Sequence, residues 1–207
     1  MLALLLAVLA QAEPLDRIAV SVGSQVITES TLLLDLRVTA FINQTSLEFS
    51  PAAKRAEAER LVDLVLIKRE AEDSHLVLGG GEPPRLLAML KARYGGEQDY
   101  QADLRRYGIR ESDLVDHLQA GARLATFSDL RFRPAARISE EDLHASYDKL
   151  VAARPSGAPS FEASRTAIEE LLRDQRAAEA LDDWLRMQRK TVRIEYREPV
   201  FPERVSP

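Results

Sequence analysis

One stretch, Leu61-Val62-Asp63-Leu64-Val65-Leu66-Ile67, constrains the fold of this chain more than any other. It lies inside a helical pattern opened by Ser50-Pro51, a capping hydroxyl followed by proline at the first helical position. The pattern continues to about His75 and is apolar nearly all round at its middle. Such a helix must be covered on most sides, so the spacing predicts it at the centre of the core.

The elements around it read as a hairpin, a series of helices and a last strand. Arg17 to Val22 alternates loosely, with Ile18, Val20 and Val22 expected on one face; Gly23-Ser24 is a turn, and Gln25-Val26-Ile27 a short second strand. Thr28 caps a helix whose stripe is Leu32, Leu33, Leu36, Ala40 and Phe41, ending near Asn43. After Gly79-Gly80-Gly81, helices are expected over about Arg85–Tyr94, Gln98–Tyr107 with Gly108 as C-cap, and Glu111–Leu130. Arg131-Phe132-Arg133-Pro134 should cap that helix and begin an extended segment. Ser139 with Glu140, Glu141 and Asp142 opens a helix ending near Ala153. Pro155 to Ser160 is linker-like. A long helix from Phe161 to Lys190 carries the stripe Ile168, Leu171, Leu172, Ala178, Leu181, Trp184 and Leu185, with Trp184 read as a core anchor. Thr191 to Tyr196 alternates as a strand, and the tail with Pro199, Pro202 and Pro207 reads as irregular. A two-stranded hairpin is marginal alone. Pairing it with the last strand would close the chain on itself as one unit.

The first twelve residues stand apart. Leu2 to Ala10 is an uncharged apolar run of nine, and Ala10-Gln11-Ala12 is a small-x-small cleavage pattern, so 1–12 reads as a secretory signal peptide, with a buried N-terminal helix as the other reading. It lacks a basic n-region, which on this reading places the natural start upstream of Met1. Nine residues are too few to cross a bilayer.

Composition removes several functions. The chain of 207 residues has no cysteine, which excludes thiolate zinc sites, iron–sulfur clusters and cysteine nucleophiles. With 28 Lys and Arg against 33 Asp and Glu, its net charge of -5 suits neither DNA nor RNA as a general partner. There is no phosphate-binding loop and no Gly-x-Ser-x-Gly elbow. Glu72-Asp73-Ser74-His75 and Glu141-Asp142-Leu143-His144 have the spacing of di-iron ligands, but no further helix offers a Glu within an apolar stripe, and they read as solvated surface. Glu169 with Arg173, and Asp182 with Arg186, are spaced as exposed ion pairs.

Five segments in order resemble the SurA-type periplasmic chaperone family. They are Asp16-Arg17-Ile18-Ala19-Val20-Ser21-Val22-Gly23-Ser24-Gln25-Val26-Ile27-Thr28-Glu29-Ser30; Ala58-Glu59-Arg60-Leu61-Val62-Asp63-Leu64-Val65-Leu66-Ile67-Lys68-Arg69-Glu70-Ala71; Tyr107-Gly108-Ile109 with Asp113-Leu114; Ile138-Ser139-Glu140-Glu141-Asp142-Leu143 leading to Tyr147; and Trp184-Leu185-Arg186 with Val192-Arg193-Ile194. Members usually carry parvulin-type prolyl isomerase domains between the last two of these segments. Here only Arg154 to Ser160 separates the helices, so no isomerase site can be carried over.

The resemblance implies a mainly α fold: a SurA-like helical module with a small β-sheet joining the N-terminal hairpin to the C-terminal strand. Residues 13–155 would form the N-terminal-like helical domain, and 161–207 the long helix and strand that complete it. It implies an ATP-independent periplasmic chaperone for unfolded exported or outer-membrane proteins; without the isomerase domain and from the residues above, no isomerase or other enzymatic activity and no cofactor, metal or nucleic acid is expected. A non-catalytic assembly subunit binding one specific partner is the alternative, and a metal or hydrolytic enzyme the weakest reading. Self-association as a dimer is left open. The task needs a shallow apolar groove with main-chain partners for extended segments. Leu86, Leu87, Met89 and Leu90 are the candidate client-binding residues, against ordinary core packing for the same four side chains.

Overall fold

A computed structural model describes residues 16–79, 82–153, 157–197 and 200–201. The expected signal peptide, Gly80, Gly81, Pro155, Ser156 and the tail prolines lie outside those residues. The described chain is mainly helical, with a small antiparallel sheet. Its elements are β1 (Ile18–Val22), β2 (Gln25–Thr28), α1 (Glu29–Asn43), α2 (Pro51–Asp73), α3 (Pro83–Lys91), α4 (Glu97–Tyr107), α5 (Glu111–Arg131), a 3-10 turn (Arg133–Ala135), α6 (Glu140–Ala153), α7 (Phe161–Thr191) and β3 (Ile194–Tyr196).

The sheet order is β2-β1-β3, with both pairings antiparallel, so the last strand closes on the first hairpin. Gly23 occupies the tight turn at φ 58°, where a side chain would be strained. The expected alternation of β1 fails at one point. The register shifts between Ile18 and Val20, so Ala19 and Val20 are both buried and Ile18 is turned out. The last strand is also shorter than expected: α7 continues to Thr191, and β3 begins at Ile194.

Helix starts follow the capping residues. The Thr28 hydroxyl accepts from Thr31 N at 3.3 Å, Ser50 from Ala53 N at 3.2 Å and Ser160 from Ala163 N at 3.3 Å. Gly108 ends α4 at φ 66°. The helix expected over Arg85–Tyr94 starts earlier, because Pro83 and Pro84 serve as its first residues, and it stops at Lys91. Beyond α5 the chain turns in the 3-10 segment instead of extending.

Two apolar clusters hold the molecule. The first joins the sheet, α2, α5 and α7 through Val20, Ile27, Val62, Leu66, Phe127, Leu181 and Leu185. Trp184 is part of it, half-buried, with its ring 5.1 Å from Phe127 and 6.3 Å from Phe132. The tail also contributes: Val200 and Phe201 are buried here, so this part of the expected irregular segment belongs to the core. Arg189 ties α7 to α2, donating to Asp63 at 2.7 Å and to Glu59 at 3.0 Å. The second cluster joins the end of α1 to α3, α4 and the start of α5 through Val38, Phe41, Leu90, Tyr100, Tyr107 and Leu114.

The α7 stripe is rotated from its expected position. Ser164, Ile168, Ala177, Leu181 and Leu185 are buried, whereas Leu171 and Ala178 face out. In α1 the buried set is Leu32, Val38, Ala40 and Phe41, and Leu33 and Leu36 are only half-buried. Of the expected surface ion pairs, Glu169 meets Arg173; Arg186 meets Asp183 instead of Asp182.

Candidate functional site

Helix α2 is apolar on more than one side because it has two apolar tasks. Val62, Leu66 and Ile67 are buried in the first cluster. Leu61, Leu64 and Val65 are only half-buried and form a wall of an open cleft of about 490 Å³. The expectation that this helix is the covered centre of the core is therefore corrected: one face is core, and the other is exposed to whatever enters the cleft.

The remaining walls come from β2, α5 and the segment after α2. Gln25, Val26 and Ile27 form one side, Ala120 and Leu124 another, and Leu76 and Leu78 a third. Ala120 presents only a methyl group to the cleft, which keeps α5 thin at this level. Between Leu76 and Leu78, Val77 is 87% exposed. The rim carries Lys68, Glu72 and Arg123. Lys68 lies 3.9 Å from Glu72, while Arg123 forms no ion pair among the described residues.

A polar cluster lies one helical turn beyond the cleft on each of three helices. Asp35 is four residues from Thr31 on α1, Glu57 and Arg60 are four residues from Leu61 and Leu64 on α2, and His117 is three residues from Ala120 on α5. The Arg60 guanidinium bridges Asp35 and Glu57, with its Nε 2.7 Å from Glu57 Oε1. His117 Nδ1 lies 2.7 Å from Asp35 Oδ1. Burial pushes the Glu57 carboxyl up to about 7. Burial, aided by the Arg60 charge, pushes His117 down to about 4. A neutral His117 donates its Nδ1 proton to Asp35. Below about pH 7, where Glu57 holds its proton, one guanidinium faces one carboxylate and the charges of the cluster cancel.

The four residues singled out on α3 do not line this cleft. Leu90 is 6% exposed and Leu87 half-buried, both packed in the second cluster. Leu86 and Met89 face out at 41% and 60% exposure. Among the described residues no group of three or more His, Asp or Glu side chains is arranged to hold a metal ion. His144 stacks on Phe161 at 4.2 Å, and His75 lies past the end of α2. No helix among the described residues is long and apolar enough to cross a membrane.

Sequence reasoning missed the cleft, although its signal was present. A helix apolar all round, in a chain with only 6% aromatic residues, has more apolar surface than one core needs to cover. The polar cluster was legible too, since Asp35 interrupts Leu32-Leu33-Leu34 and Leu36 on a core helix.

No protein-family model matches the chain, and no curated protein matches it in sequence.

Proposed function

We propose that this chain is an ATP-independent holding chaperone for unfolded exported polypeptides, outer-membrane proteins among them, acting in the periplasm. The observation that carries the reading is the open cleft walled by half-buried Leu61, Leu64 and Val65. Concave sites walled by aliphatic side chains with a few polar groups at the rim are where apolar ligands dock. The apolar leader and the ordered resemblance to SurA-type chaperones add the compartment and the class of client.

The cleft suits weak, reversible holding. Each aliphatic side chain it buries contributes about 1.5–3 kcal/mol before the cost of association, itself on the order of 4–15 kcal/mol. A few such side chains give a dissociation constant of about micromolar or weaker. Clients then exchange without a nucleotide cycle, and the cleft selects for apolar character more than for sequence.

The test is suppression of aggregation. The purified chain is mixed with an unfolded outer-membrane porin and, separately, with an unrelated denatured protein. Near-stoichiometric chain should keep both soluble without ATP, and Leu64→Asp should abolish the effect while leaving the fold intact. Protection of neither would sink the reading. Tight binding of one partner only would establish the dedicated interaction subunit instead.

A further inference from the structure

Three consecutive residues of β2, Gln25, Val26 and Ile27, line the cleft. Neighbouring side chains on a strand point to opposite faces. A cleft that touches all three therefore runs along the edge of the strand, where the main chain is, and not across one face.

Among the described residues no strand pairs with that edge, and the hydrogen bonds of the sheet say where it is open. Gly23 N donates to Arg193 O at 2.9 Å, and Arg197 N donates to Ala19 O at 2.8 Å. Residues 19, 21 and 23 thus turn their main-chain groups toward β3. Val20 and Val22 are left to bond β2 through their partners Ile27 and Gln25. Antiparallel ladders alternate bonded and non-bonded pairs. Val26, opposite Ser21, is therefore a non-bonded pair whose N–H and C=O point away from β1. Among the described residues no other hydrogen bond reaches either group. Val26 is also 53% exposed.

Building on the chaperone reading, we propose that the cleft recognises its client by strand addition: an extended apolar segment lies along β2, exchanges two main-chain hydrogen bonds with Val26, and drops alternate side chains between Leu64 and Leu124. The rim adds a charge preference. Glu72 offsets Lys68, and Arg123 forms no ion pair among the described residues, so the segment carries a carboxylate where it passes Arg123. Main-chain pairing explains how one surface serves many sequences: every non-proline residue supplies the same donor and acceptor.

The probe is a fluorescein-labelled octapeptide that alternates Leu with Thr and carries one Glu near its end, with binding to the whole chain read by fluorescence anisotropy. Single N-methylation of each peptide amide in turn should weaken binding at least tenfold at one site facing Val26, and by under threefold at its immediate neighbours. On the protein side, Val26→Pro removes the outward N–H without removing a sheet bond, since proline is accepted at such edge positions. It should weaken binding at least tenfold, whereas Val26→Thr should stay within threefold. Should Val26→Pro unfold the chain, the N-methyl series on unaltered protein decides. Glu→Gln in the peptide and Arg123→Gln in the protein should each cost about threefold and show no further loss when combined. Uniform tolerance of N-methylation, with binding still abolished by Leu64→Asp, overturns strand addition and leaves the chaperone reading standing. No binding of the parent peptide, together with no suppression of aggregation, overturns both.

Discussion

The cluster around Phe127 and the cluster around Phe41 solve the same packing problem differently. In the second cluster, aromatic rings lock one another. Phe41 meets Tyr107 edge-on at 5.6 Å and Tyr100 at 6.1 Å, and Tyr94 meets Tyr100 at 5.5 Å. Two of the three hydroxyls are tied as well, Tyr107 to Thr45 O and Tyr94 to Asp103, both at 2.8 Å, while that of Tyr100 is buried with no hydrogen-bond partner among the described residues. Such rings prefer a few geometries, and their polar ends fix the loops around them. On its cleft side the first cluster is aliphatic, and its outer leucines pack on the core with one side and face the cleft with the other. A tyrosine-rich core closes a structure. A leucine-rich wall, held rigid from behind by a buried helix face, can stay open and adaptable.

The sharpest way to break this contrast is to truncate each centre. Phe127→Ala and Phe41→Ala should each cost about 3–5 kcal/mol in urea unfolding, because both rings are fully buried. Helices α1 and α5 contribute residues to both clusters. Each truncation should therefore lower hydrogen-exchange protection in both, at Leu66 as well as at Leu104. Loss confined to the truncated side would show two independently folding halves.

The seam between the clusters is the polar group on α1, α2 and α5. Arg60→Met leaves Asp35 and Glu57 facing each other with no cation between them. The expected cost is about 2 kcal/mol, below the range for fully buried pairs because the Arg60 side chain is one-third exposed. A neutral result in thermal unfolding would mean that water already satisfies this cluster.

Smaller again is the effect that separates cleft from core. Leu64→Ser should cost about 1 kcal/mol of stability, since the side chain is only half-buried, and should reduce client binding about tenfold. Met89→Ser on α3 should stay within about 0.5 kcal/mol of the native stability and leave client binding unchanged. The opposite pattern in a client titration would move the binding surface from the cleft to α3.

The sequence carried local structure well and tertiary allocation less well. Thr28, Ser50 and Gly108 mark helix ends because a cap is a contact within one turn. The closure of β3 onto β1 was also legible, since two short strands far apart in sequence had no other partner. What periodicity cannot show is which apolar face meets core and which is left open. Leu66 and Leu64 differ only in what other segments bring to them. The same holds for Ala177 against Ala178, where a small rotation of a long helix exchanges the buried residue. Strand β1 hid its bulge because Ala19 is small enough to be buried on either face.

The finest test asks whether the seam is neutral, and it turns on opposite signs. The Glu57 carboxyl is raised from 4.5 to about 7, so the folded chain holds a proton that the unfolded chain has released. Its stabilisation is present below pH 4.5 and is lost as pH rises through about 7. The His117 imidazole is lowered from 6.5 to about 4, so the folded chain lacks a proton that the unfolded chain holds. Its stabilisation is present above pH 6.5 and is lost as pH falls through about 4. Between pH 4.5 and 6.5 the two slopes oppose, each bounded by about 1.4 kcal/mol per pH unit, and these two groups should leave the native chain's stability nearly flat there. Glu57→Gln unmasks the histidine, so stability should rise with pH across that window. His117→Gln unmasks the carboxyl, so stability should fall across it and on towards pH 7. Chemical denaturation of the three proteins at pH 4.5, 5.5 and 6.5 reads all three slopes. A native chain whose stability rises with pH as steeply as that of Glu57→Gln, with His117→Gln flat, would mean that Glu57 is ionised in the fold, held by Arg60 as a second charged partner, and that the seam carries net negative charge at the inner end of the cleft.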